Sequence, residues 1–504
     1  MLPLDLSGTL LGQLDIRDPV AAPPSAEGVR RRLTWLTSQM QKRLKATVAC
    51  LAAKVPVQLK RAICARSHGP TPSHAPTPQP AAAESVESAA KQEIPSVEGD
   101  FWAAAIPERR RRGELTVPAQ ADARLETVDL VDMRAASMMI LENGDAELTQ
   151  SGDPEDVVAD FSPITIHGVL DTGREVTLVD AMGTAGGLDF QSFRVFQSFR
   201  VRYVLDGAHV DGHEERFTAV RFQLDDLGWW AHLKDGISAQ AGPVGSLSIS
   251  RDGQCMWFVF ELTDPMTLLE CDSLVISPAL TLARLALGVD LDIGPTQLRV
   301  GPASSPWISV LTKRRGSEPV RRAKLPSDLD LLLPETVLGI GNFATWIGLS
   351  VGLDGLAAVV ANPPKGVAIQ AEALTMVAVA EGIHRRLFPG TKGMNYRSRL
   401  EQLEEAAVDV VPQVTAGFTN PAWVPSVVKT RNFLAHQPDN DKRKMLEKID
   451  MITLVAWSVP WVLRIVLLRR AGLAAEVIRQ NFVDFDDFQY YRANVASIQS
   501  KYPL

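Results

Sequence analysis

Three residue types able to move protons and hold negative charge stand together in the run Val-Lys-Thr-Arg-Asn-Phe-Leu-Ala-His: Arg431, Asn432 and His436. Pro438 makes helical continuation at Gln437 unfavourable, so His436 is expected in the last turn of a helix. The carbonyl end of a helix favours protonated imidazole, which would raise the pKa of His436 and suit proton exchange near neutral pH. Asn432 and His436 are four apart and share a face. Arg431 points about 140° away from His436 at 3.6 residues per turn, so its long side chain or a partner helix must close the gap. On spacing alone a solvated or capping helix end is the plainer reading.

The elements around this trio divide the chain into three stretches, as expected for 504 residues, since single cores stop growing at roughly 250–300. Residues 1–140 read as a helical or disordered Pro-Ala-Arg-rich extension. It has a helical pattern over Arg30–Ile63, a proline-dense linker from Gly69 to Pro80 and a four-arginine run, Arg109–Arg112. That run reads as a solvated charge cluster, or else as an RNA or partner contact.

Residues 145–315 switch to period-two patterning. Ile164–Leu170 alternates, Asp171-Thr-Gly173 turns, and Glu175 onward resumes as a strand. Further strands are expected at 198–205, 216–224, 246–250, 254–261 and 298–300, giving a barrel or sandwich. Gln191-Ser-Phe-Arg-Val recurs at once from Gln197, and a six-residue shift keeps strand parity, so the duplication can lengthen a hairpin.

Residues 325–490 read as an all-α bundle, with helices over 338–361, 369–388, 397–410, 423–435 and 443–468. The fold class is therefore α+β, a β-rich barrel- or sandwich-like domain followed by a helical bundle. Met451–Leu468 is apolar apart from Thr453, Ser458 and Arg464, but is short for a membrane span and reads better as a buried helix.

Other candidates carry less. His209 and His213 are four apart beside Glu214, but in a turn-rich segment where helical spacing means nothing, so a loop is the better reading. Cys50, Cys64, Cys255 and Cys271 are too scattered for a zinc knuckle or disulfide framework, and no metal or cofactor is expected. Trp229, Trp230 and Trp257 could stack on bases, though core aromatics are commoner. The net charge of -7 argues against non-specific coating of nucleic acid while leaving room for a local basic cleft. The first six residues carry no basic stretch ahead of an apolar core, and with the cysteine usage this suggests a cytoplasmic protein.

The run Arg431-Asn-Phe-Leu-Ala-His436 resembles the Arg-x4-6-His motif of the HEPN superfamily, including the polar residue that follows the arginine in its ribonucleases. The flanks are similar too: Ala373–Arg386 resembles a HEPN helix with an acidic residue, and Leu454–Leu473 resembles its long apolar helix. Ile166–Leu178, Gly207–Val210, Phe217–Phe222 and Leu227–Trp230 resemble the N-terminal domain of ApeA-type anti-phage HEPN proteins. Together the resemblance spans roughly residues 145–485.

The resemblance implies RNA cleavage without metal: the ribose 2′-OH attacks the adjacent phosphate, leaving a 2′,3′-cyclic phosphate and a 5′-OH. His436 would be the general acid or base, Arg431 would stabilise charge on the phosphorane, and Asn432 would orient the phosphate or His436. Lys429 would add substrate affinity, although a solvated lysine is the plainer reading. Glu381 and His384 stay outside the catalytic set, with core or surface pairing as their default. The implied partners are an RNA substrate (plausibly tRNA), a phage-derived trigger and a second copy of the chain, since HEPN sites are usually composite. A non-catalytic HEPN scaffold binding RNA, nucleotide or a partner protein is the alternative. A membrane-embedded effector using 451–468 is a more distant one.

Overall fold

Phe101 sits at 0% exposure against a strand position where only glycine fits: a Cβ on Gly168 would stand 2.5 Å from its ring. A glycine inside a strand often marks such close approach, and here it lets Phe101 plug a closed barrel. The computed structural model describes residues 96–118, 121–132, 137–140, 146–149, 162–189, 194–224, 227–253, 255–311, 331–364, 366–419, 422–436 and 442–501. The expected helix at Arg30–Ile63, the proline linker, Cys50 and Cys64 lie outside the described residues.

The strands are β1 (Ser96–Ala103), β2 (Arg111–Thr116), β3 (Ala123–Val128), β4 (Ser137–Ile140), β5 (Ala146–Thr149), β6 (Ile164–Leu170), β7 (Glu175–Asp189) and β8 (Arg194–Asp206). They continue with β9 (Phe217–Leu224), β10 (Ser238–Gln240), β11 (Gly245–Asp252), β12 (Cys255–Met266), β13 (Ile293–Arg299) and β14 (Ile308–Leu311). β4 and β5 form a separate two-stranded pair. Strands β8-β3-β2-β1-β6-β7 close on themselves because β7 also pairs with β8. This six-stranded antiparallel barrel removes its own edges. Its interior is filled by Phe101, Leu115, Leu125, Ile166, Leu178, Phe199 and Val201.

At Val204–Asp206 β8, still paired with β7, takes β14 as its other neighbour in place of β3, and the sheet runs on as β14-β13-β9-β12-β11-β10. Among the described residues β structure is present from Ser96, well before residue 145, where the patterning had first become visible. The expected hairpin is present, with Gly173 at φ 80° and its N–H donating to the Leu170 carbonyl. β7 and β8 pair from Val176↔Asp206 to Asp189↔Arg194, the long hairpin expected around the duplicated segment. From within it the buried Gln197 amide accepts from the Val131 and Asp132 N–H groups and donates to the Asp132 carbonyl.

The helices are α1 (Leu268–Cys271), α2 (Ser277–Leu287), α3 (Ile340–Ser350), α4 (Leu356–Ala361), α5 (Ile369–Leu387), α6 (Tyr396–Val408), α7 (Trp423–His436), α8 (Lys442–Arg470), α9 (Ala475–Asp484) and α10 (Asp486–Ser500). α1 opens on a capping box in which the Thr267 hydroxyl accepts from the Glu270 N–H and the Glu270 carboxylate accepts from the Thr267 N–H. The single helix expected over 338–361 is two, because Asp354 (φ 47°) and Gly355 (φ 74°) turn the chain between them. α9 and α10 extend the bundle past the break at Gly472, which has φ 87°.

The extended sheet and the bundle share one core. Phe258 and Phe222 stack at 5.6 Å on the sheet, and Phe343 from α3 meets Phe258 edge-on at 5.1 Å beside Trp230. Trp229 and Trp230 are 2% and 0% exposed, core aromatics as the plainer reading had it. Among the described residues one helix, Leu446–Arg470, is long and apolar enough to cross a membrane, and 67% of its apolar window is buried inside the protein. Its Arg464 lies 5.3 Å from the Trp461 ring centroid, and burial pushes its pKa down to about 10 against the opposing pull of Asp487.

Candidate functional site: the end of helix α7

α7 is anchored at its start and emerges at its end. The fully buried Trp423 donates its indole N–H to the Ser458 hydroxyl of α8 at 2.8 Å. Val424, Ser426, Val427 and Thr430 are buried in turn, but beyond Thr430 no described position of the helix is. Phe433 and Leu434 are half-buried, packed against Ala373 of α5 and Ile452 and Ala456 of α8. Asn432 and Lys429 are exposed, and Arg431 is half-buried. His436 is the last described residue of the helix, and its side chain lies outside the described part of the structure.

Arg431 does not reach into solvent unsupported. Its guanidinium carbon stands 4.8 Å from the ring centroid of Tyr396, the first residue of α6. Stacking on an aromatic face fixes the guanidinium plane while leaving its edge N–H groups for a ligand. Tyr396 is held up by burial, which raises its hydroxyl well above the ordinary phenol value; the Arg431 charge lowers it and Glu381 raises it. The Tyr396 hydroxyl donates to the Val377 carbonyl at 3.4 Å. The structure therefore adds Tyr396 as the positioning residue for Arg431. No motif signalled it, because the two residues are far apart in sequence and meet through helix packing.

Glu381 pairs with Arg385 one turn on, at 2.5 Å. His384 is a core residue with 0% exposure. Its Nε2–H donates to Gln402 Oε1 at 2.8 Å, and its Nδ1 faces the Arg399 guanidinium at 3.4 Å. Burial lowers its pKa, the Gln402 hydrogen bond opposes, the Arg399 charge lowers it further and Glu381 raises it. A depressed imidazole contributes stability above its unfolded value of about 6.5 and loses it as pH falls, because the unfolded chain takes the proton first. The urea midpoint is expected to drop between pH 7.5 and 5.5, and His384→Gln is expected to flatten that dependence. An unchanged slope in the variant would count against it.

The remaining candidates resolve into structural contacts. His209 stacks on His167 at 4.7 Å with Trp102 edge-on at 5.3 Å, and the two Nε2 atoms engage the Gly168 and Val210 carbonyls. His213 faces Glu214 at 3.2 Å instead of His209. The arginine run stays exposed at Arg110 and Arg112, as the solvated reading had it, while its side chains also engage the barrel. Arg110 lies over Trp102, Arg111 pairs with Asp129, and Arg112 pairs with Glu98 and Asp171. Cys271 is buried and Cys255 half-buried, and neither is in a disulfide among the described residues.

The closed barrel and strands β9 to β12 of the sheet extension correspond to a known module. Residues 96–269 match the family ApeA N-terminal domain 1. The match takes in β1 through β12 and enters α1, about a third of the chain, and it does not reach Arg431, Asn432 or His436. It supports an ApeA-like anti-phage protein. No curated protein and no solved structure matches the chain. The ApeA-type region begins at the first barrel strand and includes the arginine contacts that the extension had seemed to own.

Proposed function

We propose that the chain is an anti-phage defence ribonuclease of the HEPN type, acting in the cytoplasm. The observation that carries this reading is the placement of Arg431, Asn432 and His436 on the emerging end of α7, with Arg431 stacked on Tyr396. The ApeA-type match supports the defence context.

In this reading the bundle cuts RNA, plausibly tRNA, by 2′-OH attack on the adjacent phosphate. His436 moves the proton and Asn432 orients the phosphate or His436. The Arg431 guanidinium offers paired N–H groups to the phosphorane, a charge-matched fork that an ammonium cannot supply. Lys429, exposed one turn before Phe433, adds charge for the RNA backbone. Because Arg431 and His436 diverge by about 140° on one helix, the working site takes one residue from each of two α7 helices in a homodimer or higher oligomer. The ApeA-type region restrains or triggers the bundle on a phage-derived signal, and the core it shares with α3 gives a physical route for that coupling.

The test is cleavage of tRNA by the purified chain in EDTA, with His436→Ala alongside and product ends analysed. A 2′,3′-cyclic phosphate and a 5′-OH are expected. Products ending in 3′-OH would contradict the mechanism.

A further inference from the structure

The sheet face turned away from the bundle gathers two arginines among tryptophans. On the register, Arg221 of β9 lies beside Val259 of β12 and Gln297 of β13, and Trp257, Glu261, Arg299 and Ser309 follow on the same face by alternation. The Arg221 guanidinium carbon stands 4.4 Å from the Trp257 ring centroid and 4.6 Å from that of Trp307. Arg299 lies over Trp307 from a further 4.7 Å.

The two arginines are satisfied very differently. Arg299, 5% exposed, is paired with both oxygens of Glu261 at 2.7 and 2.6 Å and donates to the Ala303 carbonyl. Arg221, half-buried, donates its Nε–H to the neutral Gln297 Oε1 at 2.6 Å, and no described carboxylate pairs with its terminal nitrogens. Desolvation lowers its pKa, with Asp252 opposing and the like charge of Arg299 adding to the fall. Two further donors in the cluster are buried and unpartnered, the Trp257 indole N–H and the Arg299 Nε–H. Buried polar groups are nearly always hydrogen-bonded, and a desolvated charge without a counter-ion is costly. The buried Gln223 Oε1 on the same face of β9 is an unmet acceptor, so the anionic character of the missing partner rests on the Arg221 charge, whose terminal nitrogens no described carboxylate pairs with.

We propose that this face of β9, β12 and β13 is a binding site for a small oxyanion, a phosphoryl or carboxylate group held by the terminal nitrogens of Arg221. The flanking indoles hold the guanidinium plane still, and charge-assisted N–H···O bonds replace the lost hydration. Arg221 and Trp257 fall inside the ApeA-type match, whereas Gln297, Arg299 and Trp307 come from the segment after it. The site is independent of RNA cleavage and is tested without it.

The full chain is titrated with inorganic phosphate, adenosine monophosphate and succinate against sodium chloride at matched ionic strength, reading tryptophan fluorescence and melting temperature. At least one oxyanion is expected to quench fluorescence and raise the melting temperature above the chloride control. Preference between the phosphate probes and succinate then assigns the group. Arg221→Gln is expected to weaken binding by about tenfold or more, as for loss of a charge-assisted pair. Trp257→Phe keeps a ring under the guanidinium but removes the N–H, and is expected to weaken binding several-fold. The exposed Arg124→Gln is expected to bind as the parent does. Saturation no better than chloride with all three probes, or equal binding by both Arg221→Gln and Trp257→Phe, overturns the proposal.

Discussion

Arg431→Lys is expected to lower single-turnover RNA cleavage by about 10²- to 10³-fold, the loss typical of removing one donor aimed at transition-state charge. The substitution keeps the charge and removes the plane. A lysine ammonium is a compact, strongly hydrated point charge on a flexible stem, and it cannot offer two parallel N–H bonds to one phosphate. It also loses the stack on Tyr396, which holds the guanidinium 4.8 Å from the ring centroid. Stability should change little, since Arg431 is half-buried and Asn432 beside it is exposed. Tyr396→Phe keeps the ring and is expected to retain most activity, whereas Tyr396→Ala frees Arg431 and is expected to behave more like Arg431→Lys. A rate for Arg431→Lys within about threefold of the parent would remove Arg431 from the chemistry, because a transition-state contact is worth far more.

Trp346→Ala is expected to cost about 3–5 kcal/mol of folding stability, the range for truncating a large buried aromatic. Trp346 of α3 is 0% exposed and donates its indole N–H to the Pro278 carbonyl of α2 at 2.9 Å. The variant therefore leaves a cavity and a buried carbonyl missing a donor at the junction of sheet and bundle. Phe343, one turn earlier on α3, reaches Phe258 of β12, so the loss should be felt on both sides. Denaturant unfolding followed by tryptophan fluorescence and by far-ultraviolet circular dichroism measures it. A midpoint shift below that of about 1 kcal/mol would show that the sheet and bundle do not depend on this contact.

The parts of the fold that were legible are those where one local rule acts alone. Ile164–Leu170 and Glu175 onward read as a hairpin because alternation and an Asp-Thr-Gly turn coincide. α7 read correctly because an apolar stripe ends before Pro438. β2 and β3 were hidden by their own outward faces: Arg111–Thr116 turns only Gly113 and Leu115 inward as buried positions, so its arginines dominated the pattern. The turn at Asp354–Gly355 was masked by apolar residues on both sides that suggested one helix. The trio on α7 could be placed on its element from sequence. Its support by Tyr396 could not, and neither could the His384–Gln402–Arg399 network, since both depend on which faces α5, α6 and α7 turn to one another. Trp257 was weighed as a base-stacking or core residue; the stack with Arg221 emerges only from the register of three strands.

The most direct measurement of the central claim compares parent and His436→Ala cleaving tRNA in excess EDTA. The account predicts that the parent cuts with its rate unchanged by the chelator, while His436→Ala is slower by about 10²- to 10⁴-fold, the range for losing a general acid or base. Mixed oligomers of His436→Ala and Arg431→Ala chains should recover part of the activity if each site draws on two copies. Cleavage that persists in His436→Ala, or that EDTA abolishes in the parent, would contradict it.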